Sequence, residues 1–327
     1  MQSSYEVWYK AVHFENPDRM PVYCPPIGVS DTVGAGRAAF ESEWSRTGEG
    51  LDHWGILWRK SEVDNLGQIA HHPLADWRNY DSYQWPDPDR NELYAHIPAK
   101  LDEAEDKYVQ TPIWMLLFER MWALRGYDNV LIDLVVNPEI AAELADKAVD
   151  FAVRVIRNTA AVSGGRIHAL GTTDDWGTQH GATISPELFR EFFLPRYKTI
   201  FDACHEVGWD VFLHSCGKVN ELVPLLIEAG ADMLNLQQPR LLGIEEMGRR
   251  FRGKVCFCSP CDIQATLPHR GVEAIREEAR LLVEHWATPE GGFIFNDYPE
   301  YGAIGSSVEN SGAMYEAFME FDPYRGG

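Results

Sequence analysis

The stretch Gly208–Leu236, GWDVFLHSCGKVNELVPLLIEAGADMLNL, holds one complete structural repeat. Val211–Leu213 is a short run that is apolar throughout, as expected of a strand covered on both faces. The polar group His214-Ser215-Cys216-Gly217 follows at once. Val219–Ala229 then reads as a helix ended by Gly230, since glycine takes the left-handed backbone of a helix stop without a Cβ penalty. A second apolar run, Met233–Leu236, follows. Strand, helix and strand in this order predict parallel strands joined by a helical crossover.

The rhythm continues on both sides. Asn137-Pro138 opens a helix, with proline at the first position, where its missing N–H costs nothing. Ile140, Leu144, Ala148, Phe151, Val155, Thr159 and Val162 recur along one face of it. Gly164-Gly165 ends that helix before the strand Ile167–Leu170, and Ser185-Pro186 opens the next, which reaches Gly208. A further helix ends at Gly253 before Val255–Phe257, and Val272–Trp286 ends at Gly291-Gly292 before Phe293–Phe295.

Five such repeats predict an α/β fold. An open doubly wound sheet and a closed barrel both satisfy the rhythm; the expectation adopted is a (β/α)8 TIM barrel, with residues 1–327 as a single domain. The first half adds strands at Met20–Cys24, Gly55–Trp58 and Tyr108–Thr111, and no nucleotide-type glycine loop follows the first. Irregular rim loops are expected within residues 1–106, above all in the Trp- and Pro-rich segment Trp54–Pro88.

Composition narrows the function. With 29 Lys and Arg against 50 Asp and Glu, the net charge is −21. That disfavours nucleic acid and an anionic membrane surface, because both require clustered cations. No apolar run reaches the roughly 18 residues of a membrane span, and the start MQSSYEVWYK lacks the pattern of a secretory signal. Six cysteines, three of them within Cys256–Cys261, suggest metal or redox chemistry in a reducing compartment, so the expected location is cytoplasmic.

Polar groups recur directly after the strands: Asp174-Asp175-Trp176, His214 to Gly217, Gln237-Gln238-Pro239, Cys258 to Asp262, and Asn296-Asp297-Tyr298. In an α/β barrel these ends converge on one face. His214 and Cys216, at i and i+2 of a strand, point the same way and can reach one Zn²⁺, which takes N and S ligands. The third donor must come from elsewhere; Cys261 is the candidate, with Cys258 behind it. The alternative is a core histidine beside an inert buried thiol. Asp174 and Asp175 are candidate acid/base groups or metal neighbours, or caps of the loop that follows. His180 is a candidate substrate contact or a solvated residue. His71-His72 reads as surface, and the acidic run Glu103 to Asp106 as a solvated helix end. Glu119 and Arg120 form a buried ion pair or line a pocket.

Asp174-Asp175-Trp176-Gly177-Thr178-Gln179, Ile184-Ser185-Pro186-Glu187, Phe212 to Gly217, and Glu228 to Asp232 with Asn235 together resemble the uroporphyrinogen decarboxylase superfamily. The similarity runs from about Glu119 to the end and implies a (β/α)8 barrel. The stretch Arg19–Pro26 does not match the Arg- and Gly-containing signature with which true decarboxylases grip a polycarboxylate tetrapyrrole. The resemblance therefore points to the zinc-dependent methyltransferases that work with a corrinoid protein. It implies His214 and Cys216 as zinc ligands. That branch's third ligand is a cysteine near the last strand, where this chain reads Phe295-Asn296-Asp297-Tyr298, so Cys261, Cys258 or Asp297 would substitute.

The expected activity is methyl transfer between a small methylated compound, an aromatic methyl ether being one form, and a corrinoid carried by a partner protein. Asp174, Asp175 and Asp297 are the expected catalytic carboxylates. Trp54, Trp176, His180, Gln237 and Tyr298 are expected around the substrate. The alternative is a metal-independent decarboxylase of a small carboxylic acid. The oligomeric state is open, with a homodimer among the options.

Overall fold

The computed structural model describes residues 2–60 and 67–325. Eight parallel strands form its centre: β1 (Val22–Cys24), β2 (Thr32–Gly34), β3 (Tyr108–Ile113), β4 (Ala169–Thr173), β5 (Asp210–His214), β6 (Met233–Asn235), β7 (Cys256–Ser259) and β8 (Phe293–Asn296). Each from β2 to β8 pairs in parallel with the next in the chain, and β8 returns to β1. The β1–β2 seam is held at Asp31, whose N–H donates to the Val22 carbonyl at 2.8 Å. The Asp31 carboxylate in turn accepts from Val22 N–H at 2.9 Å and from both arms of the Arg19 fork. This is the (β/α)8 barrel, with helices wrapped around the strands.

Each strand serves two cores. In β5, Val211 and Leu213 are fully buried against the outer helices, while Asp210, Phe212 and His214 alternate towards the interior. The interior is packed with Tyr108, Ala169, Met233, Cys256, Cys258 and Ile294. Trp8, Ala11 and Val12 of helix α1 (Ser4–His13) close its N-terminal end. A capping box of Ser3 and Glu6 starts that helix. The opposite end, where the polar residues stand, remains open.

Several expectations needed correction. Gly55–Trp58 is not a barrel strand: Leu57–Arg59 belongs to a small antiparallel sheet with Gly50–Leu51 and Gln68–His71, inside the excursion between β2 and β3. Part of the Trp54–Pro88 loop, residues 61–66, lies outside the described residues. The barrel's second strand is Thr32–Gly34, too short and too close to glycines to show periodicity. The helices α2 (Phe118–Arg125) and α3 (Pro138–Ser163) follow β3. In α3, Leu144, Ala148, Val155 and Thr159 are buried as expected and Ala141, Ala145, Ala152 and Ile156 join them, whereas Val162 is exposed and Phe151 is half-buried against Trp54. The helix from Pro186 contains a π turn at Phe189–Phe193 before it continues as α4 (Leu194–Glu206). Among the described residues no helix is long and apolar enough to cross a membrane.

Candidate metal centre

Strands β4 and β5 lie side by side with Thr173 opposite His214. The turns that leave them are interlocked. Asp174 N–H donates to the His214 carbonyl at 2.9 Å, and Gly177 N–H to the Cys216 carbonyl at 3.1 Å. Trp176 N–H donates to Ser215 Oγ at 3.0 Å, and Cys216 N–H to Asp175 Oδ1 at 2.8 Å. The turns approach so closely that a Cβ on Gly177 would sit 2.5 Å from the Cys216 carbonyl oxygen; Gly217, at φ +79°, faces it with no more room.

This clamp brings Asp175, His214 and Cys216 together, with one ligand atom from each within 4.8 Å of the others. His214 Nε2 lies 3.2 Å from Cys216 Sγ and 3.6 Å from Asp175 Oδ1. The far side of the imidazole fixes its tautomer. Nδ1 stands 2.7 Å from Asn235 Oδ1, while Asn235 Nδ2 donates to the Cys258 carbonyl at 2.9 Å and to Asn296 Oδ1 at 3.2 Å. A carbonyl can only accept, so the Asn235 amide is oriented by that bond. Its oxygen takes the Nδ1 proton, which leaves the Nε2 lone pair facing the thiol and the carboxylate.

The surroundings are acidic. Burial pushes the Cys216 thiol up, and Asp175 and Glu119 push it further. Glu119 is itself raised to about 8, by burial first and then by Asp175 and Asp174, while a 2.6 Å bond from the Thr173 hydroxyl opposes the rise. A thiolate here is disfavoured by its neighbours, and a divalent cation would reverse that balance. An imidazole nitrogen, a thiol and a carboxylate on three sides of one point are a donor set that suits zinc.

Asp174, next to Asp175, is occupied otherwise. It is fully buried, and its oxygens accept from the N–H groups of Leu117, Phe118 and Glu119 at 2.6–3.0 Å and from the Tyr197 hydroxyl. It thus caps the start of α2 from a neighbouring strand end, where no local side chain does so. Burial raises its carboxyl to about 6, against the opposing effect of those four donors.

The remaining candidates are spread over the mouth and beyond it. Cys261 does not join the group: its thiol contacts the Ile275 carbonyl at 3.4 Å and its N–H faces Met314, in the helical layer. Cys258 points into the lower interior, and its carbonyl anchors Asn235. Asp297 also stands apart, accepting from the Cys24 thiol at 3.3 Å and from Tyr298 N–H at 2.7 Å; burial raises its carboxyl. Tyr298, two residues past β8, is half-buried, and burial, then Glu300, Cys216 and Asp175, raise its phenol. Trp176 is wholly buried in an aromatic cluster with Phe118, Phe189 and Phe193, its N–H on the Tyr197 hydroxyl. Trp54 is buried at the rim, Gln237 is buried at the end of β6, and His180 is exposed.

Glu119 and Arg120 do not pair. Consecutive helical positions point about 100° apart, so Glu119 enters the mouth while Arg120 turns towards Trp54. Sequence reading passed over Asn235 as a partner of His214. The signal was available: it stands in β6 at the position in register with His214.

Comparison with known proteins adds four findings. Residues 114–321, nearly two thirds of the chain, match the family model described as uroporphyrinogen decarboxylase (URO-D). A methyltransferase from Methanosarcina mazei has a similar structure, with a TM-score of 0.70 at 14% identity, over 98% of this chain and 99% of that one. A D-psicose 3-epimerase crystallised in the presence of D-fructose aligns at a TM-score of 0.45 and 14% identity, over 72% of this chain and 86% of that one. No curated protein sequence matches the chain.

Proposed function

Because the chain belongs to the uroporphyrinogen decarboxylase family, we propose that it is a zinc-dependent methyltransferase, moving a methyl group between a small methylated compound and a corrinoid carried by a partner protein. The convergence of Asp175, His214 and Cys216 at the barrel mouth carries this reading. The methyltransferase of similar structure from Methanosarcina mazei is in keeping with it. A methyl group leaves oxygen, nitrogen or sulfur only if the departing atom is stabilised, and zinc bound there would supply that Lewis acidity without a proton.

The chain's own residues prepare the site. Asn235 holds His214 in the tautomer that presents Nε2, and the Cys216 amide fixes one oxygen of Asp175. The Thr173 hydroxyl fixes one oxygen of Glu119. Decarboxylation of a carboxylate-rich substrate suits the site less well, since the groups that meet there are themselves acidic: Asp175, Glu119 and Asp174.

The test is metal content together with transfer. Protein purified without affinity-tag metals should hold close to one zinc per chain, and the His214→Ala/Cys216→Ala double variant should lose it while remaining folded. Methylation of free cob(I)alamin by a panel of methyl ethers, thioethers and amines, followed by absorbance, should require the metal. Metal-free protein with undiminished transfer, or a double variant that keeps its zinc, overturns the reading.

A further inference from the structure

A second cavity, of about 330 Å³, opens beside the barrel mouth between the β2–β3 excursion, the end of β3 and α3. Asp175, His214 and Cys216 do not line it. Its wall is aromatic, with Trp44, Trp54, Trp114 and Phe151 prominent, and it carries the guanidinium groups of Arg37 and Arg120. The volume is that of a small-ligand site.

Arg120 is the unusual wall residue. It is 8% exposed, lies 4.5 Å over the Trp54 ring, and donates from Nη2 to the Trp114 carbonyl at 3.1 Å. Its Nη1 has no partner, and Arg120 makes no ion pair among the described residues. Asp52 is the nearest opposing charge in effect, but it makes no hydrogen bond to the guanidinium, and a buried N–H without an acceptor is costly and is expected where an acceptor arrives from outside. Trp44 repeats the pattern, since its indole nitrogen is also buried without a partner.

The acids on the wall do not answer either donor. Asp52 is taken by the N–H groups of Trp54 and Ile56 and by the Trp58 indole, at 2.8–3.0 Å. Glu41 is exposed at the edge. His53, stacked on Phe40, is pushed down to about 3 by burial and by Arg120, Arg37 and Arg90, so it is neutral and adds no charge. The lining thus sets two guanidiniums, Arg37 and Arg120, against two carboxylates, Glu41 and Asp52, and leaves a buried Arg120 nitrogen without an acceptor.

We propose that the cavity is a binding site for a flat monocarboxylate about the size of one aromatic ring, its ring among the tryptophans and its carboxylate on Arg120 and the Trp44 indole. Both residues line the cavity, and each holds one buried nitrogen without a hydrogen-bond partner. Guanidinium and carboxylate suit each other geometrically, and the apolar wall rewards a ring over a small ion. The site goes beyond the methyl-transfer reading and stands without it.

Benzoate and its neutral isostere benzamide are the probes, read by quenching of tryptophan fluorescence and by calorimetry. Benzoate should bind saturably and benzamide about 10- to 100-fold more weakly, as expected for loss of a charge-assisted bond. Arg120→Met should weaken benzoate to the benzamide level, and Trp44→Phe, which keeps a ring but removes the donor, should weaken it several-fold. If Arg120→Met fails to fold by its melting curve, Trp44→Phe and the exposed Arg37→Gln decide. The His214→Ala/Cys216→Ala protein should bind benzoate like the wild type, which separates failure of this site from failure of methyl transfer. Equal affinity for the two probes, no saturation by about 10 mM benzoate, or benzoate binding lost in the His214→Ala/Cys216→Ala protein and kept in the cavity variants overturns the proposal.

Discussion

The atom behind an imidazole decides what the imidazole can do. His214 is directed by Asn235, which is in turn fixed by a carbonyl and by Asn296. Asn235→Leu should therefore leave the fold in place and weaken zinc about 10- to 100-fold, as loss of such an orienting partner does. Asn235→Asp, which keeps the acceptor, should restore much of the affinity; competition against a chromophoric chelator reads both. Asp174 and Asp175 make the complementary case, since adjacent identical side chains serve different purposes. Asp174→Ala strips three backbone N–H groups and a phenol of their acceptor, so a loss on the order of 3 kcal/mol is expected from denaturant melts. Asp175→Ala should cost under about 1 kcal/mol and abolish metal binding instead. Equal destabilisation by the two would refute this division. Sequence displayed both aspartates, the His-x-Cys pair and the cysteine cluster, but not their directions. The third member of the candidate group, Asp175, stands in the turn after the neighbouring strand β4, and Cys261 faces the helices, because a residue just past a strand end no longer follows its alternation.

Among the elements, those with strong punctuation were legible. Proline at the start and glycine past the end bounded α3 correctly, and the strands around Val211 and Phe293 were placed to within a residue at each end. What escaped was short or displaced: β2 has three residues beside a glycine, and a π turn re-aims Phe193 and Tyr197 in a helix whose pattern read as continuous. The role of α1 was also hidden, since a plug at the base of a barrel has the composition of any amphipathic helix. One of its ties is titratable. His13 lies 3.1 Å from Asp210 at the N-terminal end of β5, and this bond raises its pKa above 6.5, with burial opposing. A histidine raised on folding stabilises the protein fully below its unfolded value and loses that contribution as pH climbs through the folded value. The difference in melting temperature between wild type and His13→Gln should thus be greatest just below pH 6.5 and vanish at alkaline pH. A difference that grows above pH 7 would contradict the assignment.

At the scale of the whole molecule, closure of the barrel is the property on which the candidate metal centre depends, because a ring of strands holds its far side rigid only while the ring is complete. Seven of the eight neighbouring pairs are ordinary ladders; the eighth, between β1 and β2, relies on Asp31, which accepts from Val22 N–H, the Ser4 hydroxyl and the Arg19 fork while 5% exposed. Asp31→Ala would leave a largely buried arginine and a strand amide unanswered, a loss of about 3–5 kcal/mol. Replacing both partners, Arg19→Met with Asp31→Leu, removes the stranded charge and should recover part of that loss. β5 lies opposite β1, one side of the seam, four places away either way round the strand order. If the barrel unfolds as one unit, the urea midpoint should fall in Asp31→Ala while zinc stoichiometry under native conditions stays at that of the wild type. Zinc lost from a protein with an unchanged midpoint would mean that the mouth senses the seam locally, and the ring would then not be the rigid frame inferred here.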